Sequence, residues 1–111
     1  MKSNGTGPRR ANMRDFVVEV ERPASAELAA YSRAERYRRL RANTEAHRTQ
    51  LETWLETEDL CSEVAGMRAG TGFNLIFVEC TPNVAAKLVR APGVVDVLPA
   101  GELEAGLQSV I

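Results

Sequence analysis

The sequence is short of the groups from which most catalytic and metal centres are built. It has one histidine, His47, and two cysteines, Cys61 and Cys80. A lone imidazole makes no convincing triad, and two distant cysteines form neither a CxxC motif nor a zinc quartet. No apolar run approaches the ~18 residues needed to span a bilayer, because Asn74 interrupts the most hydrophobic stretch, Phe73 to Val78. The N-terminal residues Met1 to Arg14 contain no apolar core of the kind that marks a signal peptide. Charge of one sign is also missing, with 14 Lys and Arg against 15 Asp and Glu. These absences lead us to expect a cytoplasmic protein that is no enzyme, holds no metal or cofactor and has no membrane partner.

What remains is the profile of one soluble domain: 111 residues, 44% hydrophobic and 26% charged. Residues 1–13 lack periodicity and read as a flexible tail, residues 14–100 as the domain, and residues 101–111 as a C-terminal tail. Phe16, Val18 and Val20 alternate with Val17 and Glu19, so a first strand is expected over Asp15 to Glu21, stopped by Arg22-Pro23. Ser25 to Glu58 is rich in Ala, Glu and Arg without Gly or Pro, which favours helix. Its apolar positions split it into an accessory turn near residues 25–34 and a main helix over 35–57. The latter's apolar face carries Tyr37, Leu40, Thr44, His47, Leu51, Trp54 and Leu55. His47 and Trp54 are therefore expected at the core or its edge.

Ser62 to Arg68 and Phe73 to Cys80 read as a hairpin turning at Ala69 to Gly72, the second strand apolar on both faces. That turn would set Cys61 opposite Cys80, close enough for a disulfide. Two reduced, buried thiols are the preferred alternative for a cytoplasmic chain. Thr81 as N-cap and Pro82 as first helical residue start a second helix, with Ala85, Leu88 and Val89 at core spacing. Ala91-Pro92-Gly93 ends it, and Val94 to Leu98 reads as a last strand closed by Pro99. The order βαββαβ predicts an α+β, ferredoxin-like fold: an antiparallel four-stranded sheet with two helices on one face.

Residues 72–102 carry a finer pattern: Phe73-Asn74 opening a strand, Ile76-Phe77-Val78 within it, Thr81-Pro82 starting a helix, Leu88 inside it and Pro92-Gly93-Val94-Val95 before the last strand. This run resembles the second half of the subtilisin propeptide-like inhibitor (peptidase inhibitor I9) family, and the His47 to Leu55 stretch agrees more loosely with its first helix. Leu75 stands where that family usually has Gly, Cys80 where it has Leu, and Asn83 and Val84 where it has acidic residues; Val84 thereby removes a capping-box carboxylate. The resemblance implies a stand-alone inhibitor or intermolecular chaperone of a subtilisin-like serine protease. The sheet face, at Leu75 and Phe77, would pack on the protease, while Leu103, Glu104, Ala105 and Gly106 enter its cleft as an extended segment. For residues 101–111 the alternative is a short amphipathic helix or an unstructured end.

Two other readings compete. A ferredoxin-like interaction module could pair with itself, as a homo-oligomer, or with a larger assembly. Six arginines against two glutamates between Arg33 and Arg48 could track a phosphate backbone, but the strand Phe73 to Cys80 lacks the aromatic RNA-binding signature. The basic stretch is therefore read first as a solvated helix face, with RNA binding through this Arg-rich helix as the weaker alternative and nucleic acid not the expected partner.

Overall fold

In the computed structural model, which describes residues 12–70 and 74–101, the alternation that begins at Phe16 forms strand β1 (Arg14–Val20). Val18 and Val20 point to one side and are buried, as the period of two requires. A short helix α1 (Ser25–Leu28) and the long α2 (Arg33–Thr57) follow. Ser32 Oγ accepts from Glu35 N–H at 3.2 Å and caps the start of α2. Its end is a Schellman closure: Leu60 N–H donates to Leu55 O and Asp59 N–H to Glu56 O, with Asp59 in the left-handed region at φ 61°. The closure delivers Leu60 into the core.

A 3-10 turn (Cys61–Glu63) leads into β2 (Val64–Ala69), which pairs antiparallel with β3 (Leu75–Cys80). Helix α3 (Pro82–Leu88) and β4 (Val94–Pro99) complete the βαββαβ order. The sheet runs β2-β3-β1-β4, all neighbours antiparallel, the arrangement expected of an α+β ferredoxin-like fold. Both helices pack on one side. Leu51 and Leu55 of α2, Val84 and Leu88 of α3, Val18 and Val20 of β1, and Ile76, Val78 and Cys80 of β3 form one buried cluster, with Trp54 and Phe16 at its margin.

Three details depart from the sequence-based expectation. The hairpin register sets Val64, not Cys61, opposite Cys80, because the strands close with Ala69 opposite Ile76 and Gly70 N–H on Leu75 O, further along the chain than a turn at Ala69 to Gly72 would allow, and the 3-10 turn takes Cys61 out of the strand. A bulge lies between Val64 and Gly66. Both cysteines are free, Cys80 buried and Cys61 exposed. Tyr37 is exposed (47%), since the sheet engages α2 only from Thr44 onward and the earlier turns project past it. Val89 is exposed and Val84 takes the core position instead, because α3 stops at Leu88 and turns its Val84–Ala85–Leu88 side inward.

The N-terminus of α3 shows how the missing capping carboxylate is replaced. Thr81 Oγ1 accepts from Val84 N–H at 3.2 Å and donates to Glu63 Oε1 at 2.7 Å, while Asn83 Nδ2 donates to the same oxygen. Thr81 N–H also donates to Glu63 O. One residue of the 3-10 turn thus closes the helix start from outside. These bonds, Thr81's first, then Asn83's and the charge of Lys87, hold the Glu63 carboxyl below its ordinary pKa of 4.5 despite partial burial. A group with a depressed folded pKa contributes stability above its unfolded value and loses it as pH falls through the folded one. Glu63→Ala should therefore cost about 1–2 kcal/mol at neutral pH and less once pH drops below that depressed value, as read by urea denaturation across the range.

Candidate protein-binding face

The helices cover one side of the sheet, and its opposite side is left facing outward among the described residues. The strand period puts Asp15, Val17 and Glu19 of β1, Leu75, Phe77 and Glu79 of β3, Gly66 and Arg68 of β2, and Asp96 and Leu98 of β4 on this outer face. Across its middle runs a row Arg68–Phe77–Val17–Leu98. The Arg68 guanidinium lies 4.7 Å from the Phe77 ring centroid, and Gly70 lets that ring lie down, since a Cβ there would meet Phe77 Cε2 at 2.5 Å. Val17, between Phe77 and Leu98 in this row, is 3% exposed although no helix among the described residues covers it, while Leu98 remains 38% exposed.

On both sides of the apolar row stand carboxylates. Asp15 lies directly opposite Glu79, and Glu19 opposite Asp96. Asn74 Nδ2 donates to Glu19 Oε2 at 3.4 Å, and Asp96 Oδ1 accepts from Val97 N–H at 2.9 Å. No side chain among the described residues forms an ion pair with any of the four. Beside the first pair, β2 contributes only Gly66, so a trough of about 440 Å³ opens there, lined by Asp15, Gly66, Arg68, Phe77, Glu79 and Ala100 among others.

Leu75 and Phe77, the sheet-face positions expected from sequence, both lie on this face and are half-buried. Leu103, Glu104, Ala105 and Gly106 lie outside the described residues. The sequence reading missed the four carboxylates and Arg68. The alternation of β1 could have placed Asp15 and Glu19 opposite Val18, but finding Glu79 and Asp96 beside them required the strand register.

The remaining chemical groups are dispersed. His47 is half-buried against the turn after α3, where Gly93 adopts φ +79° and a Cβ would meet the imidazole at 2.6 Å. Cys80 lies opposite Arg14 at one end of β1, while Gly93 O accepts from Glu21 N–H past the other end. At ~3.3 Å per residue, roughly 20 Å of strand separates the thiol from the histidine's neighbourhood. Burial, with the nearby Glu63 charge, pushes the Cys80 thiol up to about 12. No group of three His, Cys, Asp or Glu side chains placed to hold a metal occurs among the described residues. No helix among them is long and apolar enough to cross a membrane.

The arginines of α2 are largely engaged within the helix. Glu35 pairs with Arg38 and, at 3.0 Å, with Arg39; Arg48 bridges Glu45 and Glu52 at 2.9 and 2.7 Å. Arg36 donates to Tyr31 O, and Arg39 stacks 4.0 Å over the Tyr31 ring. The pairs at i,i+3 and i,i+4 account for a basic stretch as a solvated helix face.

A thiol reagent should separate the two cysteines. Cys61 should be modified at once in the native protein and Cys80 only at the rate of unfolding, giving one fast and one denaturant-dependent equivalent; equal rates would contradict the burial of Cys80.

Comparison with curated proteins and with solved structures finds no match. A family model described as PopD matches residues 7–103, which takes in every strand and helix described above. This corrects the resemblance to the subtilisin propeptide-like inhibitors. The pattern that suggested it, strand, Thr-Pro, short helix and Pro-Gly-Val-Val, consists of an N-cap, a first-turn proline and a left-handed glycine that a βαβ unit of this shape needs in any lineage. By the match over these residues, the chain belongs to the PopD family.

Proposed function

We propose that the chain acts by binding a protein and not by catalysis, as a stand-alone inhibitor or intermolecular chaperone of a subtilisin-like serine protease. The observation that carries this reading is the outer face, a four-stranded surface whose apolar row has no helix over it among the described residues. A surface of this kind, apolar at its centre and charged at its margin, has the anatomy of a protein interface. β4, an edge strand of the same sheet, ends at Pro99, and Ala100 and Gly101 take helical conformation ahead of the residues of the proposed tail. In this proposal they run extended through the protease cleft, with Leu103 filling an apolar subsite and Gly106 nearest the nucleophile, recognised through main-chain hydrogen bonds.

A second reading, an interaction module that pairs with itself, has support in the exposed aromatics Tyr31 and Tyr37 on the part of the molecule that projects beyond the sheet. Sedimentation of the purified chain distinguishes the two, since the first expects a monomer.

Titrating the full chain into a purified subtilisin that hydrolyses a chromogenic peptide should abolish activity near one equivalent. Phe77→Asp should weaken inhibition by about tenfold or more through loss of the apolar contact, and Leu103→Asp should do so through the cleft. Undiminished hydrolysis by every subtilisin-like protease tried would remove the protease from this account.

A further inference from the structure

The outer face departs from what stability alone would select. Like charges directly across a strand pair are destabilising, and here two such pairs occur on one face of one sheet. The Asp15–Glu79 pair is the barer of the two, without a hydrogen-bond or ion-pair partner among the described residues. The chain does not lack cations, having 14 Lys and Arg, but α2 holds six of them on the opposite layer, and among the described residues the strands place only Arg68 on the outer face, engaged over Phe77. Among the described residues charge is therefore segregated: four carboxylates against one guanidinium on the sheet side, arginine on the helix side.

The site beside the pair is shaped as well as charged. Gly66 faces Glu79 where any other residue would project a side chain, and a Cβ built there meets nothing within 4 Å. The resulting trough is lined by both carboxylates and by Phe77. An aliphatic stem ending in a cation fits this arrangement: the stem lies along the ring and the head reaches both carboxylates. With only two carboxylates in each cross-strand pair, a side-chain cation suits the site better than a metal ion.

We propose that the partner of the outer sheet face presents a basic protein surface, with an arginine or lysine inserted between Asp15 and Glu79 beside Phe77, and a second cation near Glu19 and Asp96. This rests on the reading that a protein docks on this face, and it adds the chemistry of that protein's surface. The acidic pairs then serve association: they steer a basic surface toward the face and are relieved when it arrives.

The test uses the full chain labelled with nitrogen-15 and a short peptide alternating leucine and arginine as probe. At low salt its addition should shift the amide signals of Asp15, Gly66, Phe77 and Glu79. The acidic end of α2 around Glu56, Glu58 and Asp59 serves as an internal control and should not respond, nor should a leucine–glutamate peptide cause shifts. The doubly neutral variant Asp15→Asn with Glu79→Gln should bind the probe about tenfold more weakly, yet melt at the same temperature as the parent or higher, because it removes a repulsion. Shifts elsewhere or none, or a variant that melts several degrees lower, would overturn the proposal. So would a salt-sensitive dimer of the chain alone that the variant abolishes, which would make the occupant a second copy. Inhibition of a protease that is indifferent to salt and to the double variant would sink this inference and leave the proposed function standing. Probe binding at the trough without inhibition of any protease would do the reverse.

Discussion

The pairing of β1 with β3, centred on Val18 opposite Ile76, is the contact on which the rest of the structure depends. Both residues are completely buried. Each outer strand has only one neighbour, β4 on β1 and β2 on β3, so neither can be placed until the central pair has formed. The helices depend on it too, because Leu51, Leu55, Val84 and Leu88 have as their floor the side chains that this pair turns inward. The joined segments are distant in sequence, so the cost of closing the loop through α2 is met before the helices gain a surface to cover.

The same pairing sets the chemistry of the other side. With a period of two, burying Val18 and Val20 beneath the helices obliges Asp15, Val17 and Glu19 to face out, and the antiparallel register brings Glu79 and Asp96 beside them. Sliding β1 by one residue would exchange the acidic row for the core row. Register is thus over-determined from within, and the outer face can carry mutually repelling carboxylates without endangering the fold. The position of Val17 follows as well: among the described residues its cross-strand neighbours on this face are Phe77 and Leu98, which makes the central apolar strip narrow.

Much of this architecture was legible in the sequence where local physics has a single solution. Thr81-Pro82 could only begin a helix, Gly93 after Pro92 could only reverse the chain in the left-handed region, and the alternation at Phe16, Val18 and Val20 marked a strand with one covered face. Legibility failed where the outcome depended on an element remote in sequence. The strands close with Ala69 opposite Ile76, beyond the turn that the glycines suggest, and this register parts Cys61 from Cys80. Tyr37 obeys the helical period of the apolar face, but no sheet lies beneath that end of α2. Glu63 replaces the absent capping carboxylate of α3 from 18 residues away, a relation that no i,i+3 pattern reveals. The acidic pairs of the outer face belong to the same class, since each joins residues from separate strands.

The hydrogen bond from Val97 N–H to Asp96 Oδ1 bears on how such a surface stays dispersed in solution. A sheet with an uncovered side and open borders is a template for stacking and for strand addition, the first steps toward fibrils. On the β4 border one main-chain donor is already occupied by the carboxylate of the preceding residue, and Pro99 removes another. On the β2 border the bulge distorts the ladder and Arg68 places a charge. The molecule therefore resists growth along the hydrogen-bonding direction while leaving the perpendicular direction open, so that association is channelled to a face read by side chains.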